Sequence, residues 1–270
     1  MASTSKKTPL IVLSIAGYDP SSGAGITADI KTIAAHGCYG VSCITALTVQ
    51  STQGVKEVEP VESRLVTKIL QELISDFPIS AVKIGMLGSA GVVQAVVDFL
   101  ERNTVRNVVL DPVLKSSSGA DLLLAKGVSV LRTRLLPLVD VITPNIHEAS
   151  VLTGLAIRDP QDMRAAAICL HQMGAKTVVI TGGHLNPASD LLSWESGRQI
   201  KTFTHKIIKT RSTHGTGCAF STALACNLAK GKNLVEAARQ AKQYVIGALE
   251  NTARIGKGTG PVNHMWKRSS

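Results

Sequence analysis

Short apolar segments alternate with helix-forming segments along nearly the whole chain, and this alternation restricts the possible folds more than any other feature. Between the apolar segments, apolar residues recur at the spacing of one helix face. A strand followed by a helix can cross over to a parallel neighbour, so the pattern predicts an α/β fold with a mainly parallel sheet and helices on both faces. The predicted strands cover residues 10–16, 41–47, 81–84, 108–110, 139–143 and 177–181, with a further pair at 191–193 and 200–208.

The predicted helices occupy the intervals between these strands and continue to the end of the chain. No repeat, low-complexity stretch or linker interrupts the alternation, so we expect a single domain over residues 1–270 with flexible ends at 1–8 and 266–270. No long strand-rich insertion follows the first helix, so we expect no separate lid domain. The helices are predicted at 24–36, 62–76, 89–102, 121–134, 145–153, 161–173, 217–230 and 234–250.

The composition narrows the class of protein. The net charge is +10, but Lys and Arg are dispersed and aromatic residues make up only 3% of the chain. Proteins that bind nucleic acid need a basic face or aromatic stacking platforms, so a small anionic substrate explains the charge more simply. Five cysteines without CxxC spacing indicate a reducing cytoplasm rather than a disulfide framework or a zinc site. No apolar run is long enough to cross a membrane.

Polar, glycine-rich segments follow most of the predicted strands. Ligands of open parallel sheets bind at the carboxyl ends of the strands, so these segments predict a small-molecule site at that edge. In chain order the segments are AGYDPSSGAG, TVQSTQG, KIGML, DPVLKSSSG, TPNIHE and TGGH.

The segment THGTGC places two glycines and a cysteine at the start of a predicted helix. Backbone N–H groups of Gly215, Thr216 and Gly217 can converge there, and the helix N-terminus adds partial positive charge. The segment therefore predicts an anion hole for a phosphoryl group. The same field would favour the thiolate of Cys218, which makes this residue the catalytic candidate. The alternative interpretation is a glycine-rich turn with a small, packed cysteine.

In TPNIHE, Asn145 and Glu148 are three residues apart at another predicted helix start. Both side chains can face one ligand, and a carboxylate there can hold Mg²⁺ through water. The same spacing is that of an N-cap residue and its capping-box partner, so the pair also has a purely structural interpretation. Asp111, directly after another strand, is either a turn residue or a second carboxylate for the metal.

Met86 and Val113 follow two further strands and can form an apolar wall for a flat ring. Gln50 carries both a donor and an acceptor, so it can read the edge of a heteroaromatic ring or cap a turn. GAGITA at 23–28 matches a dinucleotide-binding fingerprint, but six residues separate it from the first strand and the next strand lacks an acidic residue for ribose. The pattern GxxxxGK[ST] is absent, so an ATP site must be of another kind.

Seven segments occur in the order, and at about the spacing, of the hydroxymethylpyrimidine/phosphomethylpyrimidine kinases of the ribokinase-like superfamily, and the chain resembles this family. The segments are AGYDPSSGAGITADIKT, ITALTVQSTQGV, VKIGML, DPV, TPNIHEA, GGH and THGTGC, and the resemblance covers about residues 9–264. It implies a ribokinase-like three-layer sandwich and a cytoplasmic enzyme that uses ATP and Mg²⁺. The implied reaction phosphorylates 4-amino-5-hydroxymethyl-2-methylpyrimidine and then its monophosphate for thiamine diphosphate synthesis.

The resemblance also implies roles for residues of the substrate side. Gln50 would hydrogen-bond the pyrimidine edge, while Gly17, Met86 and Val113 would line the ring pocket. Asp29, on the first helix, would face the substrate as well.

On the phosphate side, the resemblance implies that Asn145 and Glu148 organise Mg²⁺ and phosphates, with Asp111 nearby. The backbone of residues 215–218 would stabilise the phosphoryl group in transfer. Cys218 would take the place of the aspartate that ends the GxGD motif of related sugar kinases and accepts the proton of the attacking hydroxyl.

Four positions depart from the family pattern. Thr181 stands where a phosphate-directed Lys is common, and we expect Thr181 with a backbone donor to bind the nucleotide phosphate instead. Ser212 replaces a common Asn, the Lys of the DPV loop has moved to Lys115, and Tyr18 replaces a small Ser or Thr.

Three alternative functions stay open at this point: a pyridoxal kinase, a non-catalytic ligand-binding homologue and, more distantly, a nicotinamide-dependent oxidoreductase. Relatives often pair, so a homodimer is also compatible with the resemblance. The Gly- and Ser-rich loops at 115–120 and 184–189 are candidates for small flaps over the site.

Overall fold

The computed structural model describes residues 8–116, 118–183 and 188–268, and within these ranges nine strands form one sheet. The strands are β1 (Ile11–Tyr18), β2 (Tyr39–Ser51), β3 (Gly54–Pro60), β4 (Ile79–Ile84), β5 (Val108–Leu110), β6 (Val141–Ile142), β7 (Val178–Gly182), β8 (Ala188–Trp194) and β9 (Gln199–His205). They lie in the order β3-β2-β1-β4-β5-β6-β7-β8-β9. The six strands from β2 to β7 in this order are parallel, whereas β3, β8 and β9 pair antiparallel with their neighbours. The prediction of a mainly parallel sheet is confirmed.

The helices lie close to their predicted positions. They are α1 (Gly25–Ala35), α2 (Ser63–Asp76), α3 (Ala90–Arg102), α4 (Ala125–Val130), α5 (Ile146–Thr153), α6 (Pro160–Gln172), α7 (Thr216–Ala229) and α8 (Leu234–Glu250). None of the helices in the described ranges is long and apolar enough to cross a membrane.

The sheet separates two apolar layers because successive residues of a strand point to opposite faces. Leu13 of β1 and Leu110 of β5 pack in the layer that α2 to α6 cover. Val12 and Val109, each one position earlier in the same strands, pack in the layer that α1, α7 and α8 cover. The predicted arrangement of helices on both faces is therefore confirmed.

The sequence did not predict β3. Its segment GVKEVEP is charged and only half-buried, because it is an edge strand that pairs with β2 alone. As a consequence β2 continues to Ser51 rather than ending at residue 47, and the two strands form a hairpin that projects at the carboxyl edge of the sheet.

Two further details differ from the prediction. The helix expected at 121–134 begins at Ala125 and continues after Val130 as a π-helical turn at Leu131–Leu135. Trp266, expected in a flexible end, packs against Gly247 of α8 and donates its indole N–H to the carbonyl of Tyr244 at 3.0 Å. A buried indole needs a hydrogen-bond partner, and this contact supplies it.

Candidate active site

The two glycine-rich loops that precede α1 and α7 interlock at the carboxyl edge of the sheet. Gly215 has φ +83°, and a Cβ there would collide with the carbonyl oxygen of Gly23. Gly25 has φ +58°, and a Cβ there would collide with the carbonyl oxygen of Gly17. Only glycine combines such backbone angles with this close approach, so the two loops hold a fixed relative position.

The N-terminus of α7 is open toward solvent. Gly215 is the N-cap residue, and no side chain in the described ranges caps this helix. The first intrahelical bond runs from Ala219 N–H to the Gly215 carbonyl at 2.8 Å, and Thr216 N–H is 3.3 Å from the Thr213 carbonyl. The N–H groups of Gly217 and Cys218 lie in the first helical turn, where an α-helix has no internal acceptors. Of the three donors predicted for the anion hole, Thr216 N–H is thus bonded to Thr213, and the donors left in this turn are those of Gly217 and Cys218.

The N-terminus of α1 differs, because the carboxylate of Asp19 lies directly before it. Its Oδ2 accepts the backbone N–H groups of Gly23 at 3.2 Å and Ala24 at 2.9 Å. Burial by itself would raise the pKa of Asp19, but hydrogen bonds from His214 and Ser21 outweigh burial and lower the pKa below 3.8. The carboxylate is therefore a permanent anion at this helix start.

His214 connects the two loops. Its Nε2 is 2.7 Å from Asp19 Oδ2, and because a carboxylate only accepts, this ring nitrogen donates. The side-chain amide of Gln50, at the end of β2, lies 3.2 Å from the same ring nitrogen. The sequence did not single out His214, although it stands inside the THGTGC segment.

Cys218 is half-buried directly after the open turn. Burial raises the pKa of its thiol to about 12; Lys83 opposes this effect, whereas Asp111 and Asp29 add to it. The expectation that the helix field favours a thiolate is therefore wrong, since desolvation outweighs the field.

Asp29 does not face the substrate side, contrary to the expectation from the resemblance. Its side chain is 0% exposed, and its carboxylate accepts bonds from Ser14 Oγ at 2.6 Å and Thr222 Oγ1 at 2.8 Å. Lys83 Nζ lies 3.0 Å from the same carboxylate. Asp29 is thus a buried structural carboxylate between α1, α7 and the sheet.

Lys83 is a functional candidate that sequence reasoning missed. It is also 0% exposed, and its Nζ lies 3.8 Å from Asp111 Oδ2 in addition to the Asp29 contact. The only signal in the sequence is a lysine inside the otherwise apolar strand ISAVKI. A lysine there must be paired, because an unpaired buried ammonium is too costly.

Asn145 and Glu148 form the capping box of α5, as the structural interpretation predicted. The Asn145 side chain accepts Glu148 N–H, and the Glu148 carboxylate accepts Asn145 N–H, both at 2.9 Å. Burial, followed by the charge of Asp111, raises the pKa of Glu148 to about 8. Thr181 lies beside Asn145, since the two residues form a parallel bridge at the end of β7.

This pair of buried carboxylates fits a divalent cation. Glu148 and Asp111 are close enough for one charge to act on the other, and burial also raises the pKa of Asp111. A cation near both would relieve this cost. Within the described ranges, no three His, Cys, Asp or Glu side chains are grouped to hold a metal by themselves. That donor set matches Mg²⁺, which keeps several waters and uses substrate phosphates as ligands.

The predicted ring wall is assembled. A Cβ on Gly17 would lie 2.9 Å from the Met86 sulfur, so the two residues are in close contact. Met86 clusters with Val113 and with Val55 and Val58 of β3, which the sequence did not propose because β3 itself was missed. The result is an apolar cluster beside Gln50, which pairs with Val55 and whose amide lies 3.2 Å from His214 of the α7 loop.

Sequence comparison shows the family of the chain. A profile of the family described as phosphomethylpyrimidine kinase matches residues 19–263. The chain belongs to the phosphomethylpyrimidine kinase family. It is 45% identical over 258 residues to the hydroxymethylpyrimidine/phosphomethylpyrimidine kinase of Haemophilus influenzae, which covers 94% of this chain and 96% of that relative.

Solved structures show the same ribokinase-like fold. A phosphomethylpyrimidine kinase from Clostridium difficile 630 matches with a TM-score of 0.79 at 37% identity, covering 89% of this chain and 99% of that chain. A Bacillus subtilis pyridoxal kinase in complex with ADP matches with a TM-score of 0.88 at 32% identity, covering 97% of this chain and all of that chain (100%). The fold class expected from the resemblance is confirmed.

The C-terminal segment GKGTGPVNH contacts the interlocked loops. His214 N–H donates to the Gly260 carbonyl at 3.0 Å, and His264 Nε2 is 2.9 Å from the Gly23 carbonyl. Ser212, one of the departures from the family pattern, is buried against Gly260. The segment therefore braces both loops from outside the sheet.

The other departures lie at the edges of the site. Lys115 forms an exposed ion pair with Asp121 at 3.1 Å. Tyr18 ends β1, where its carbonyl accepts Thr48 Oγ1 at 3.0 Å. Of the two candidate flap loops, residue 117 and residues 184–187 lie outside the described ranges. Ser118 Oγ accepts Val55 N–H at 3.3 Å, which places the first loop against the β2–β3 hairpin.

Proposed function

We propose that this kinase transfers the γ-phosphoryl group of ATP to the hydroxymethyl group of 4-amino-5-hydroxymethyl-2-methylpyrimidine, and then phosphorylates the monophosphate, in thiamine diphosphate synthesis. The observation that carries the proposal is the uncapped start of α7, whose loop residue His214 lies 3.2 Å from Gln50 at the edge of the apolar ring wall. A hydroxyl on a flat ring held there would point at the helix N-terminus, where the transferring phosphoryl group would be stabilised. The family match over residues 19–263 supports this assignment.

Gln50 would recognise the edge of the pyrimidine ring. The Gln50 amide lies 3.2 Å from the His214 ring nitrogen that donates a hydrogen bond to Asp19. This hydrogen bond fixes the ring beside the Gln50 side chain. Gly17, Met86 and Val113 would contact the ring faces. Gly17 matters here because any side chain would displace Met86.

Asn145 and Thr181 would bind nucleotide phosphate at the neighbouring strand ends. Glu148 and Asp111 are the carboxylates that would hold Mg²⁺, through water or directly. When bound, Mg²⁺ neutralises charge on the phosphates. These residues lie at the ends of β5, β6 and β7, and this shared edge supports a nucleotide site there.

Cys218 would be the catalytic residue next to the reacting hydroxyl. Its pKa is raised to about 12, so it is a thiol, and it could accept the hydroxyl proton only as its own proton passed to a neighbouring carboxylate such as Asp111. The hydroxyl oxygen then bonds to the γ-phosphorus, and the bond to ADP breaks. Phosphoryl transfer depends on positioning and charge more than on a strong base, so a weakly acidic thiol is compatible with this role.

The decisive experiment incubates the protein with ATP, Mg²⁺ and either the hydroxymethylpyrimidine or pyridoxal, and measures products by mass spectrometry and kcat/KM by coupled ADP release. We expect mono- and diphosphorylated pyrimidine and a kcat/KM at least about tenfold higher than for pyridoxal, since a matched hydrogen-bonding edge is worth this much or more. A preference for pyridoxal would instead make the protein a pyridoxal kinase. Absence of phosphorylation of both compounds would leave a non-catalytic ligand-binding homologue.

A cytoplasmic homodimer is part of the proposal. Leu47 and Val49 of β2 are 49% and 54% exposed, which is unusual for large aliphatic residues on a strand. A second copy would cover this surface. Light scattering after size-exclusion chromatography measures the mass, and a monomer at micromolar concentration would refute the dimer.

A further inference from the structure

A fully enclosed cluster of three charges lies beneath the first turns of α7. Lys83 Nζ on β4 is 3.0 Å from Asp29 on α1 and 3.8 Å from Asp111 after β5. The ammonium therefore lies between two carboxylates, away from solvent.

Both carboxylates are also bonded to α7. Ser221 Oγ donates to Asp111 at 3.1 Å, and Thr222 Oγ1 donates to Asp29 at 2.8 Å. These two hydroxyls lie one turn after the open N-terminus of the helix. A Cβ on Gly217, in that first turn, would be 3.8 Å from Asp111, so the carboxylate lies directly next to the anion hole.

We propose that Lys83 is a positioning residue for phosphoryl transfer: it compensates Asp29 and Asp111 and so keeps the N-terminus of α7 attractive to a phosphate. Without this lysine, two uncompensated carboxylates would lie under the helix start. Their repulsion would oppose the partial positive charge of about half a unit that the helix itself provides. The expected effect of Lys83 on turnover rests on the proposed kinase function, whereas its expected effect on phosphate binding does not.

Opposite changes of charge in this cluster should change the affinity for nucleotide in opposite directions. K83M makes the cluster more negative by one unit, D29N makes it less negative by one unit, and K83M/D29N restores the original charge. In a merely structural role, by contrast, each substitution would add damage, because each removes a bond from the same buried network.

The test measures the dissociation constant of Mg²⁺–AMP-PCP by calorimetry for the wild type and these three variants. We expect K83M to bind about tenfold more weakly and D29N several-fold more tightly, the order expected for one charge roughly 10 Å away at an effective dielectric near 20. K83M/D29N should return to within about threefold of the wild type. In steady-state assays, kcat should follow the same order.

K176M is the matched control. Lys176 forms an exposed ion pair with Asp140 at 3.0 Å, before β6 and β7 and hence at the amino edge of the sheet. The substitution K176M removes the same charge from the same residue type far from the anion hole. The dissociation constant should stay within about twofold of the wild-type value, because exposed charges at that range are screened.

Two outcomes overturn the role of Lys83. One is a double variant that binds as weakly as K83M, which would show that the lysine acts only through packing. The other applies if circular dichroism shows that K83M does not fold: D29N then decides alone, and an unchanged affinity refutes the charge argument. If the wild type binds AMP-PCP but phosphorylates neither ring substrate, the proposed function fails while the affinity ranking still tests Lys83.

Discussion

The starts of α1 and α7 look alike in sequence but differ in charge. Each follows a glycine-rich loop, and the two loops interlock through Gly23 and Gly215. The α1 loop contains Asp19, whose carboxylate accepts the N–H groups of Gly23 and Ala24 directly before the helix. The α7 loop contains no acidic residue, and its helix start is uncapped in the described ranges. A glycine-rich loop before a helix thus indicates an anion site only where the protein does not supply the anion itself.

The closed helix start supports the open one. Asp19 binds His214, which belongs to the α7 loop, and His264 bonds the Gly23 carbonyl from the C-terminal segment. The α1 loop therefore holds the α7 loop, and with it the anion hole, in position. Substitutions at the two starts should have different consequences, catalytic at α7 and mainly structural at α1.

The largest effect is expected for Cys218→Ala, at the open start. The variant should fold and bind nucleotide but lose about 10²–10⁴-fold in kcat, the usual contribution of a residue that transfers the proton. Steady-state assays with the pyrimidine measure this loss. Cys169→Ala, on α6 and away from the site, is the control and should retain wild-type turnover. A Cys218→Ala variant with near wild-type turnover would refute the catalytic role.

The next effect is expected for Gly215→Ala. The new methyl group would push the α7 loop away from the Gly23 carbonyl, and we expect a loss of about 10²-fold in kcat because misplacement by about 1 Å has this cost. Gly231→Ala is a matched control: Gly231 also has a positive φ, +76°, but nothing lies within 4 Å of the position of its Cβ. It should lose only about 1 kcal/mol of stability. Equal turnover in the two variants would show that loop contact does not matter.

Much of the fold could be predicted from the sequence because its apolar periodicity is strong. The buried parallel strands β1, β4, β5 and β7 read as continuous apolar runs, and the helices carry clear faces. β3 was missed because an edge strand needs no apolar run, and its pairing with β2 is a tertiary fact. That omission also hid Val55 and Val58 from the predicted ring wall.

The site was predicted less completely, for electrostatic reasons. Motif order placed Gln50, Gly17, Met86 and Cys218 at one edge, since strand ends meet there. It could not show that Asp29 is enclosed with Lys83, because a pattern does not distinguish a buried carboxylate from a ligand-facing one. Nor could it give the pKa of Cys218, which depends on burial and on charges from α1, β4 and the β5 loop.

A smaller effect is expected for Asp19→Asn at the closed start. Loss of a charged acceptor for the backbone should lower the free energy of unfolding by about 1–3 kcal/mol at neutral pH. Because the folded-state pKa of Asp19 is lowered from 3.8, its contribution is fully present above that value and is lost as the pH falls through the folded-state pKa. The difference between variant and wild type should therefore be constant above about pH 5 and shrink below about pH 4.

Urea unfolding at pH 7 and at about pH 3 measures this difference. The control is Asp121→Asn, whose exposed ion pair with Lys115 should contribute less than about 1 kcal/mol at either pH. A difference between Asp19→Asn and wild type that does not change with pH would show that the Asp19 charge has no part in holding the α1 start.

The smallest effect is expected for Thr181→Lys, which adds a cation on the nucleotide side of the open start. Thr181 is half-buried beside Asn145, so a lysine there can direct its ammonium toward a bound phosphate without entering the core. We expect the KM for ATP to fall about threefold. An added charge in a solvated site contributes at most about 1 kcal/mol of binding free energy. Thr133→Lys adds the same charge in the exposed π-helical turn after α4 and should leave the KM unchanged. If both variants lower the KM equally, the gain reflects net charge alone. If only Thr181→Lys does so, the start of α7 and the end of β7 act on the same phosphate, whereas at the start of α1 the carboxylate of Asp19 would repel one.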